Sequence, residues 1–340
     1  MNKKWECCDI DENVLQDFMK VHNLNEILAS VLINRNLTEE ADINLFMNPT
    51  RKDFHDPFLM PDMKATVNRV LEAIKNQESI MIYGDYDADG ITSITVLKNF
   101  LEERGLQVAS YIPNRLDEGY GLNKEAIKKI YDDGYKLIIT VDCGISGIDE
   151  VDYANSLGME VLITDHHEPG QSLPNALAIV DAKRKDSKYP FNQLAGVGVV
   201  FKLIQAISIS LNLEEKEYLK YLDIVCIGTI SDIVPLIDEN RVIAKLGLKL
   251  VNQTKNIGLK ALLEVTGFKE IDSGAISFGV APRINACGRM GDEQVALDLF
   301  LSKDYETAKK LALKLNEYNS ERQAIEKQIF DEATAKIENE

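Results

Sequence analysis

Cysteine, tryptophan and histidine are scarce in this chain of 340 residues, and long apolar runs are missing from it. The five cysteines form neither a disulfide framework nor a zinc-finger spacing, since Cys7 and Cys8 are adjacent and the other three are scattered. No apolar run approaches the roughly 20 residues that a membrane-spanning helix needs, and the first residues contain no apolar signal sequence. These absences predict a cytoplasmic protein with reduced thiols that does not enter a membrane.

Basic residues are also in deficit. The chain has 38 Lys and Arg against 55 Asp and Glu, which gives a net charge of −17. Because non-specific binding to nucleic acid relies on Lys and Arg that neutralise phosphates, the surface as a whole does not favour DNA or RNA. A local basic groove is compatible with this charge, and bound divalent cations can supply positive charge for a polyanion.

The hydrophobic pattern changes along the chain and predicts three segments. The pattern predicts an N-terminal helical lead-in at residues 1–78 and the main domain at residues 79–303. It also predicts one long, charged connecting helix at residues 304–340, which contains no proline or glycine. Past residue 195 the main domain is also predicted to be mainly helical. The long helix has no capping signal at its end, so we expect the natural chain to continue beyond it.

Strands and helices alternate in the first half of the main domain. The predicted strands lie at 79–83, 108–112, 137–141, 161–164 and 177–180, and the predicted helices at 91–104, 124–132 and 147–157. This rhythm is typical of βαβ units, so we expect an α/β fold with a parallel sheet flanked by helices.

Carboxylates and imidazoles follow three of the predicted strands. They are Asp85, Asp87 and Asp89 after the first strand, Asp142 after the third, and Asp165, His166 and His167 after the fourth. Ligands of parallel sheets bind beyond the carboxyl ends of the strands, so these side chains should meet at one edge. Carboxylates this close repel one another unless a cation lies among them, and oxygen-rich sites with a few imidazoles favour Mn²⁺ or Mg²⁺ over structural zinc.

With Asp232, which follows a later apolar run, the set is large enough for two ions about 3.5–4 Å apart. Such a two-metal site is typical of phosphoester hydrolysis. Two other interpretations exist: the D-x-D-x-D-G run resembles the start of a calcium loop, and loop aspartates often only cap helices. Val96 stands where the calcium loop needs glutamate. The shared sheet edge favours the metal site over isolated caps.

Four motifs resemble those of the DHH phosphoesterase superfamily. They are YGDYDADG at 83–90, VDCG at 141–144, DHH at 165–167 and GTISD at 228–232. The segments IPNRLDEGYGL at 112–122 and APRINACGRM at 281–290 further resemble RecJ-type enzymes, which are single-strand-specific 5′→3′ DNA exonucleases. The resemblance implies a DHH-type fold, with the catalytic domain at 79–303, and a metal-dependent exonuclease of DNA repair and recombination.

The resemblance also implies roles for individual residues. Arg115 and Arg283 would bind DNA phosphates, including a 5′-terminal one, with Asn285 and Arg289 as weaker candidates, although a loop arginine is more often solvated or structural. His167 would face the scissile phosphate, Asp165 would orient the histidines, and Asp142 would bridge two Mn²⁺ or Mg²⁺ ions. The implied ligands of these ions are Asp85, Asp87, Asp89, Asp142, His166 and Asp232.

RecJ-like enzymes carry a DHH-associated domain beyond the long helix, and often an OB-fold domain, and neither is recognisable in these 340 residues. We therefore expect a fragment that keeps the metal chemistry and loses grip or processivity. Single-stranded DNA is the implied partner, a single-stranded-DNA-binding protein and a helicase are further candidate partners, and we expect a monomer.

Two other functions stay open. One is a small-substrate DHH phosphodiesterase or pyrophosphatase that acts on oligonucleotides, cyclic dinucleotides or pyrophosphate, against which the segments around Arg115 and Arg283 weigh. The other is a non-catalytic scaffold for replication, against which the complete set of mutually repelling carboxylates weighs.

Overall fold

The structure, a computed structural model, describes residues 9–115 and 117–338. Residues up to Phe54 and residues from His55 onward form two separate units. Cys7 and Cys8 lie outside the described residues, and the other three cysteines are buried and free. None of the described helices combines the length and apolar character that crossing a membrane requires. The segment limits at residues 78 and 303 stay predictions.

The N-terminal unit is helical, as its sequence predicts. Its helices are α1 (Glu12–His22), α2 (Glu26–Asn34) and α3 (Glu40–Met47), followed by a 3-10 turn, Arg51–Asp53. Helices α1 and α2 begin where the side chains of Asp11 and Asn25 accept hydrogen bonds from first-turn amides. Helix α1 packs against α2, and Ala29, Leu32 and Ile43 are buried.

Five parallel strands form one sheet in the larger unit. They are β1 (Ile80–Gly84), β2 (Val108–Tyr111), β3 (Leu137–Val141), β4 (Glu160–Thr164) and β5 (Ala178–Val180), in the spatial order β2-β1-β3-β4-β5. Strands β1, β3 and β5 are buried along their whole length. Their continuous apolar character follows from helices that cover the sheet, and the predicted α/β class is confirmed.

Four helices accompany the sheet along the chain. They are α4 (Met63–Asn76), α5 (Ala88–Glu102), α6 (Lys124–Asp132) and α7 (Ile148–Ser156), with a 3-10 turn, Pro57–Leu59, before α4. Helices α6 and α7 share a buried cluster with the strands, in which Ile127 and Val151 lie with Met81 and Ile138. Helix α5 begins at Ala88, three residues before the predicted start, because the Asp87 side chain caps its first turn.

The rest of the larger unit is helical, as predicted. Its helices are α8 (Gly196–Ser210), α9 (Lys216–Leu219), α10 (Leu222–Ser231), α11 (Asp238–Val251), α12 (Ile257–Thr266), α13 (Ser273–Ala275), α14 (Ala281–Arg289), α15 (Gln294–Leu301) and α16 (Tyr305–Glu338), with a π-helical turn, Ile276–Val280, before α14. Helix α8 packs against α5 and α4, and α16 packs against α12, α14 and α15. Helix α16 is the predicted long, charged helix.

The strand register aligns the residues that follow the strands. Gly84 of β1 pairs with Val141 of β3, Val141 pairs with Thr164 of β4, and Thr164 pairs with Val180 of β5. Each of these four strands is followed directly by an aspartate, so the sheet presents a row of carboxylates at its carboxyl edge: Asp85, Asp142, Asp165 and Asp181.

A buried ion pair joins α8 to α11. Lys202 and Glu239 are both fully buried, with 2.8 Å between Nζ and Oε1. The Glu239 carboxylate also accepts hydrogen bonds from the backbone N–H of His55 and the hydroxyl of Tyr189, and Lys202 donates to the carbonyl of His55. The pair therefore fixes the start of the larger unit to two of its helices.

We expect Glu239→Ala to lower the free energy of unfolding by about 3–5 kcal/mol, because the Lys202 ammonium would stay buried without its carboxylate. The double variant Lys202→Met, Glu239→Leu removes both charges and should recover at least half of that loss. Urea unfolding followed by circular dichroism measures both variants. A loss below about 1 kcal/mol for Glu239→Ala would show that this pair contributes little.

Candidate metal centre

The turn between β1 and α5 carries three carboxylates. Asp85 directly follows β1, and Asp87 is the N-cap of α5, where Oδ1 accepts hydrogen bonds from the amides of Asp89 and Gly90. Gly90 packs so closely on the main chain of Asp85 that a Cβ at residue 90 would overlap the Asp85 carbonyl group. The tight turn that places Asp85 and Asp89 together therefore requires glycine at this position.

Asp142 lies between the other ligands. Its φ of 58° is in the left-handed region, which non-glycine residues rarely adopt, and a Cβ on Gly196 would lie only 2.5 Å from its Oδ1. Oδ1 lies 3.1 Å from His166 Nε2. Within the described residues, neither Asp142 Oδ1 nor Asp85 Oδ1 accepts a hydrogen bond. Buried oxygens of this kind need an explanation, and a cation supplies one.

Two further carboxylates come from helices. Asp89, in the first turn of α5, accepts hydrogen bonds of 2.6 and 2.8 Å from the amides of Gly196 and Val197 at the start of α8. Asp232 follows α10, and its Oδ2 lies 3.8 Å from His166 Nε2. Helix packing thus brings these two side chains to the residues at the strand ends.

Three overlapping groups have ligand atoms within 4.8 Å of one another. They are Asp85 with Asp87 and Asp142, Asp89 with His166 and Asp232, and Asp142 with His166 and His167. The structure therefore brings all six predicted metal ligands together, and Asp142 and His166 each belong to two groups. Five carboxylates and one imidazole fit a pair of Mn²⁺ or Mg²⁺ ions, which prefer oxygen ligands.

Burial and mutual repulsion raise the pKa of four of these carboxyls. For Asp85, Asp89 and Asp232, burial is the main cause and a neighbouring carboxylate the second, and each pKa rises to about 7. The pKa of Asp142 is raised well above its ordinary value by burial and by the charge of Asp89. A cation favours the ionised carboxylates, so it would relieve this repulsion.

Hydrogen bonds separate the roles of Asp165, His166 and His167. Asp165 Oδ2 accepts from the amide of Ile145, and Oδ1 accepts from the amides of both histidines and, at 2.7 Å, from His167 Nδ1. Burial favours a higher pKa for Asp165, but its hydrogen bonds, above all that from His167, lower it. The same bond raises the pKa of His167, whereas burial lowers the pKa of His166. The lowered pKa of His166 therefore favours its neutral imidazole, the form that binds cations. The raised pKa of His167 favours its protonated form, which Asp165 holds by the hydrogen bond to Nδ1.

Tyr120 is a site residue whose role the sequence did not indicate, although it lies within one of the motifs. Its hydroxyl lies 3.3 Å from the carbonyl oxygen of Asp142 and 3.4 Å from His167 Nε2, and its ring contacts the His167 ring edge-on. The Tyr83 hydroxyl holds this loop by donating to the carbonyl of Gly121. The only signal was the aromatic residue within the glycine-rich run at 119–121.

Asp181 is a further buried carboxylate, and the sequence motifs do not include it. It follows β5 directly, burial raises its pKa to about 7, and its Oδ1 accepts a hydrogen bond from the amide of Lys183. It belongs to none of the three ligand groups found among the described residues. Its position after a predicted strand was the available signal.

Arg115 and Arg289 flank the carboxylate turn. Both are exposed, and the Arg115 guanidinium carbon lies 5.1 Å from the centre of the Tyr86 ring. Burial and the neighbouring Asp85 raise the pKa of Tyr86, and the charges of both arginines oppose that rise. Because Tyr86 directly follows Asp85, both cations lie close to the candidate metal centre.

Arg283 and Asn285 lie on α14 and have different neighbours. The Asn285 Oδ1 accepts a hydrogen bond of 2.8 Å from the amide of Ala88 at the start of α5. Arg283 donates from Nη1 to the carbonyl of Gly279 and from Nε to Oδ1 of Asn316 on α16. Arg283 is therefore engaged where α14 meets α16, while Asn285 touches the turn that carries the carboxylates.

Comparison with known proteins places this geometry in a family. The model of the DHH family, N-terminal domain, matches residues 79–229. The chain is 42% identical, over 99% of its length, to the single-stranded-DNA-specific exonuclease RecJ of Bacillus subtilis and covers 42% of that protein. It is 36% identical to the enzyme of the same name from Escherichia coli, with 80% of this chain and 49% of the relative covered. The chain thus spans less than half the length of both relatives.

Solved structures agree with the sequence matches. A crystal structure of exonuclease RecJ bound to manganese has a TM-score of 0.75 and 34% identity, with 80% of this chain and 69% of that chain covered. The structure of RecJ in complex with Mn²⁺ from Thermus thermophilus has a TM-score of 0.81 and 29% identity, with 94% and 46% covered. The predicted fold and the predicted resemblance are confirmed, and the chain belongs to the DHH family and, within it, to the RecJ proteins.

Proposed function

We propose that this chain carries the catalytic part of a metal-dependent exonuclease that hydrolyses single-stranded DNA from the 5′ end. The observation that supports this most strongly is the convergence of six carboxylate and imidazole ligands, two of them with buried oxygens that accept no hydrogen bond in the described chain. The relatives named single-stranded-DNA-specific exonuclease supply the substrate class.

Two Mn²⁺ or Mg²⁺ ions would be held by the two ligand groups that contain most of the carboxylates. One group is Asp85, Asp87 and Asp142, and the other is Asp89, His166 and Asp232. Asp142 lies close enough to His166 of the second group for its carboxylate to be shared by both ions. When bound, the ions would lower the pKa of a coordinated water and neutralise charge on the phosphoryl group.

The protein side chains position the substrate around this centre. The His167 ring donates from Nδ1 to Asp165, which leaves Nε2 to donate to an oxygen of the scissile phosphate. Asp165 keeps the ring oriented and favours its protonated form. Tyr120 limits the rotation of the His167 ring by contacting its edge.

Arg115, Arg289 and Asn285 supply the binding surface for the DNA backbone. Arginine forks fit phosphate oxygens, and both arginines lie beside the turn that carries Asp85. Arg283 supports them by fixing α14 against α16 through its bonds to Gly279 and Asn316. Two arginines thus lie beside the crowded carboxylates where a phosphate must approach.

The setting of this activity completes the proposal. We place the protein in the cytoplasm as a monomer that acts in DNA repair and recombination, with a single-stranded-DNA-binding protein and a helicase as its partners.

The first prediction concerns metal binding. Without metal, and at a pH above the raised pKa of Asp142, we expect Asp142→Asn to raise the melting temperature slightly, because it removes one of several repelling charges. With Mn²⁺ at about 100 times its Kd, the natural chain should gain about 2.7 kcal/mol and the variant much less, so the order reverses. Thermal unfolding in EDTA and in MnCl₂ measures this.

Asp181→Asn is the matched control, since Asp181 is a buried aspartate of the same row outside the ligand groups. We expect its Mn²⁺-dependent shift to equal that of the natural chain. An unchanged shift in Asp142→Asn would contradict the assignment of Asp142 as a ligand.

The second prediction concerns activity. In Mn²⁺, 3′-labelled single-stranded DNA should be shortened from its 5′ end, while duplex, a dinucleotide and pyrophosphate are hydrolysed far more slowly. His167→Ala should lower kcat by about 10²–10⁴-fold, because it removes a donor to the scissile phosphate. Asp142→Ala should abolish hydrolysis. Hydrolysis of the dinucleotide or pyrophosphate alone would favour the small-substrate alternative. Hydrolysis of nothing would favour the scaffold if a longer form of the protein is also inactive, and the loss of activity by truncation if the longer form is active.

The third prediction separates the arginines. Arg115→Ala should weaken binding of single-stranded DNA and reduce the slope of log K against log salt by about 0.7, the value for one lost phosphate contact. Arg283→Ala should instead lower the urea midpoint of unfolding and leave the salt slope unchanged, because its bonds are internal. Fluorescence anisotropy over a salt series measures the slopes. The reverse pattern would show that Arg283 is the phosphate ligand.

A further inference from the structure

A cavity of about 560 Å³ lies beside Asp232. Its wall includes Ile230, Ser231 and Ile233, which flank Asp232 in the chain, and it extends to Asn285 of α14. This volume lies within the range of small-molecule sites and is large enough for a nucleotide. Because Asp232 is a proposed metal ligand, the cavity adjoins the place where a scissile phosphate would bind.

Two large apolar side chains line the cavity and are almost fully exposed. Ile233 is 87% exposed and Phe278 is 86% exposed. Ile233 also has a φ of 61°, in the left-handed region, where a β-branched side chain is strained. Exposed apolar surface and a strained residue beside a reactive centre are both typical of ligand-binding sites.

The polar residues of the cavity are basic or neutral. Arg289 and Arg322 line it together with Asn285 and three serines, and none of the described lining residues is acidic, although the chain has a net charge of −17. Arg322 is held in place by an ion pair with Glu326, with 2.7 Å between Nη1 and Oε2, and by a hydrogen bond to Asn319. Within the described residues, Arg289 is therefore the cavity arginine without a carboxylate contact. The cavity therefore combines an apolar, aromatic wall with positive charge, which complements a nucleobase between two phosphates.

We propose that this cavity binds the nucleobase next to the scissile phosphodiester, that Phe278 stacks on the base, and that Arg289 and Arg322 face the flanking phosphates. The proposal rests on the proposed function, because it takes single-stranded DNA as the substrate. Stacking tolerates any sequence, since every base presents an aromatic face. A duplex keeps its bases paired within the helix, so only a single strand can place a base against Phe278.

The binding test uses oligonucleotides with 2-aminopurine at successive positions from the 5′ end, because stacking quenches its fluorescence. With Ca²⁺ in place of Mn²⁺, we expect one position to be quenched severalfold by the natural chain and by Phe278→Tyr, but not by Phe278→Ala. Phe278→Ala should also bind about tenfold more weakly, in line with the loss of one stacked base. Phe330→Ala is the matched control, because Phe330 is 69% exposed and does not line the cavity.

The second readout is hydrolysis in Mn²⁺ of single strands that lack one base at the quenched position. The natural chain should cleave the intact strand about tenfold faster than the abasic one, and Phe278→Ala should cleave both at similar rates. Equal quenching and equal discrimination in Phe278→Ala and the natural chain would overturn the cavity proposal while the nuclease function stands. Quenching without hydrolysis would support the proposed base-binding cavity and contradict the proposed nuclease function. If single strands do not bind at all, both proposals are contradicted.

Discussion

The structure depends on keeping several carboxylates close together out of water. Parallel pairing aligns the ends of four strands, and each strand end is followed by an aspartate, so the register itself imposes the crowding. Burial and repulsion raise the pKa of Asp85 and Asp142, which is the cost of bringing these carboxyls together without a cation. Around this row, the glycines at 90 and 196 make room for the side chains, and backbone amides hold Asp89 and Asp165 in place.

The sequence predicted three of the four aspartates in this row because two local patterns coincide at them. Continuous apolar runs identify buried parallel strands, and the residue after each run lies at the carboxyl edge whatever the rest of the chain does. The positions of Asp85, Asp142 and Asp165 at that edge follow from the sequence alone. Asp181 satisfies the same rule, but it lies in none of the four motifs that marked the other positions.

Other features depend on contacts between distant segments, and the sequence could not give them. The bonds of Arg283 depend on how α14 meets α16, which no local pattern near residue 283 encodes. The cavity lined by Ile233, Phe278 and Arg322 assembles three segments far apart in the chain. The early start of α5 is different, because its cap, Asp87, is a local signal that the sequence contains. The motif at 281–290 indicated the importance of its neighbourhood without separating the residues that face the cavity from those that support the helix.

The sheet register also determines where the chain can change length. The ligands Asp85 and Asp142 are fixed because they follow the paired ends of β1 and β3 at the carboxyl edge of the sheet. The segment between them, which contains α5, β2 and α6, leaves this edge and comes back to it through β3. Residues inserted at the opposite edge, where α6 leads into β3 through the turn at Gly134, would lengthen the crossover and leave both carboxylates where they are. The spacing between motifs is therefore a poor guide to the distance between ligands. An insertion at the carboxyl end of the same strands, even of one residue, would displace a ligand.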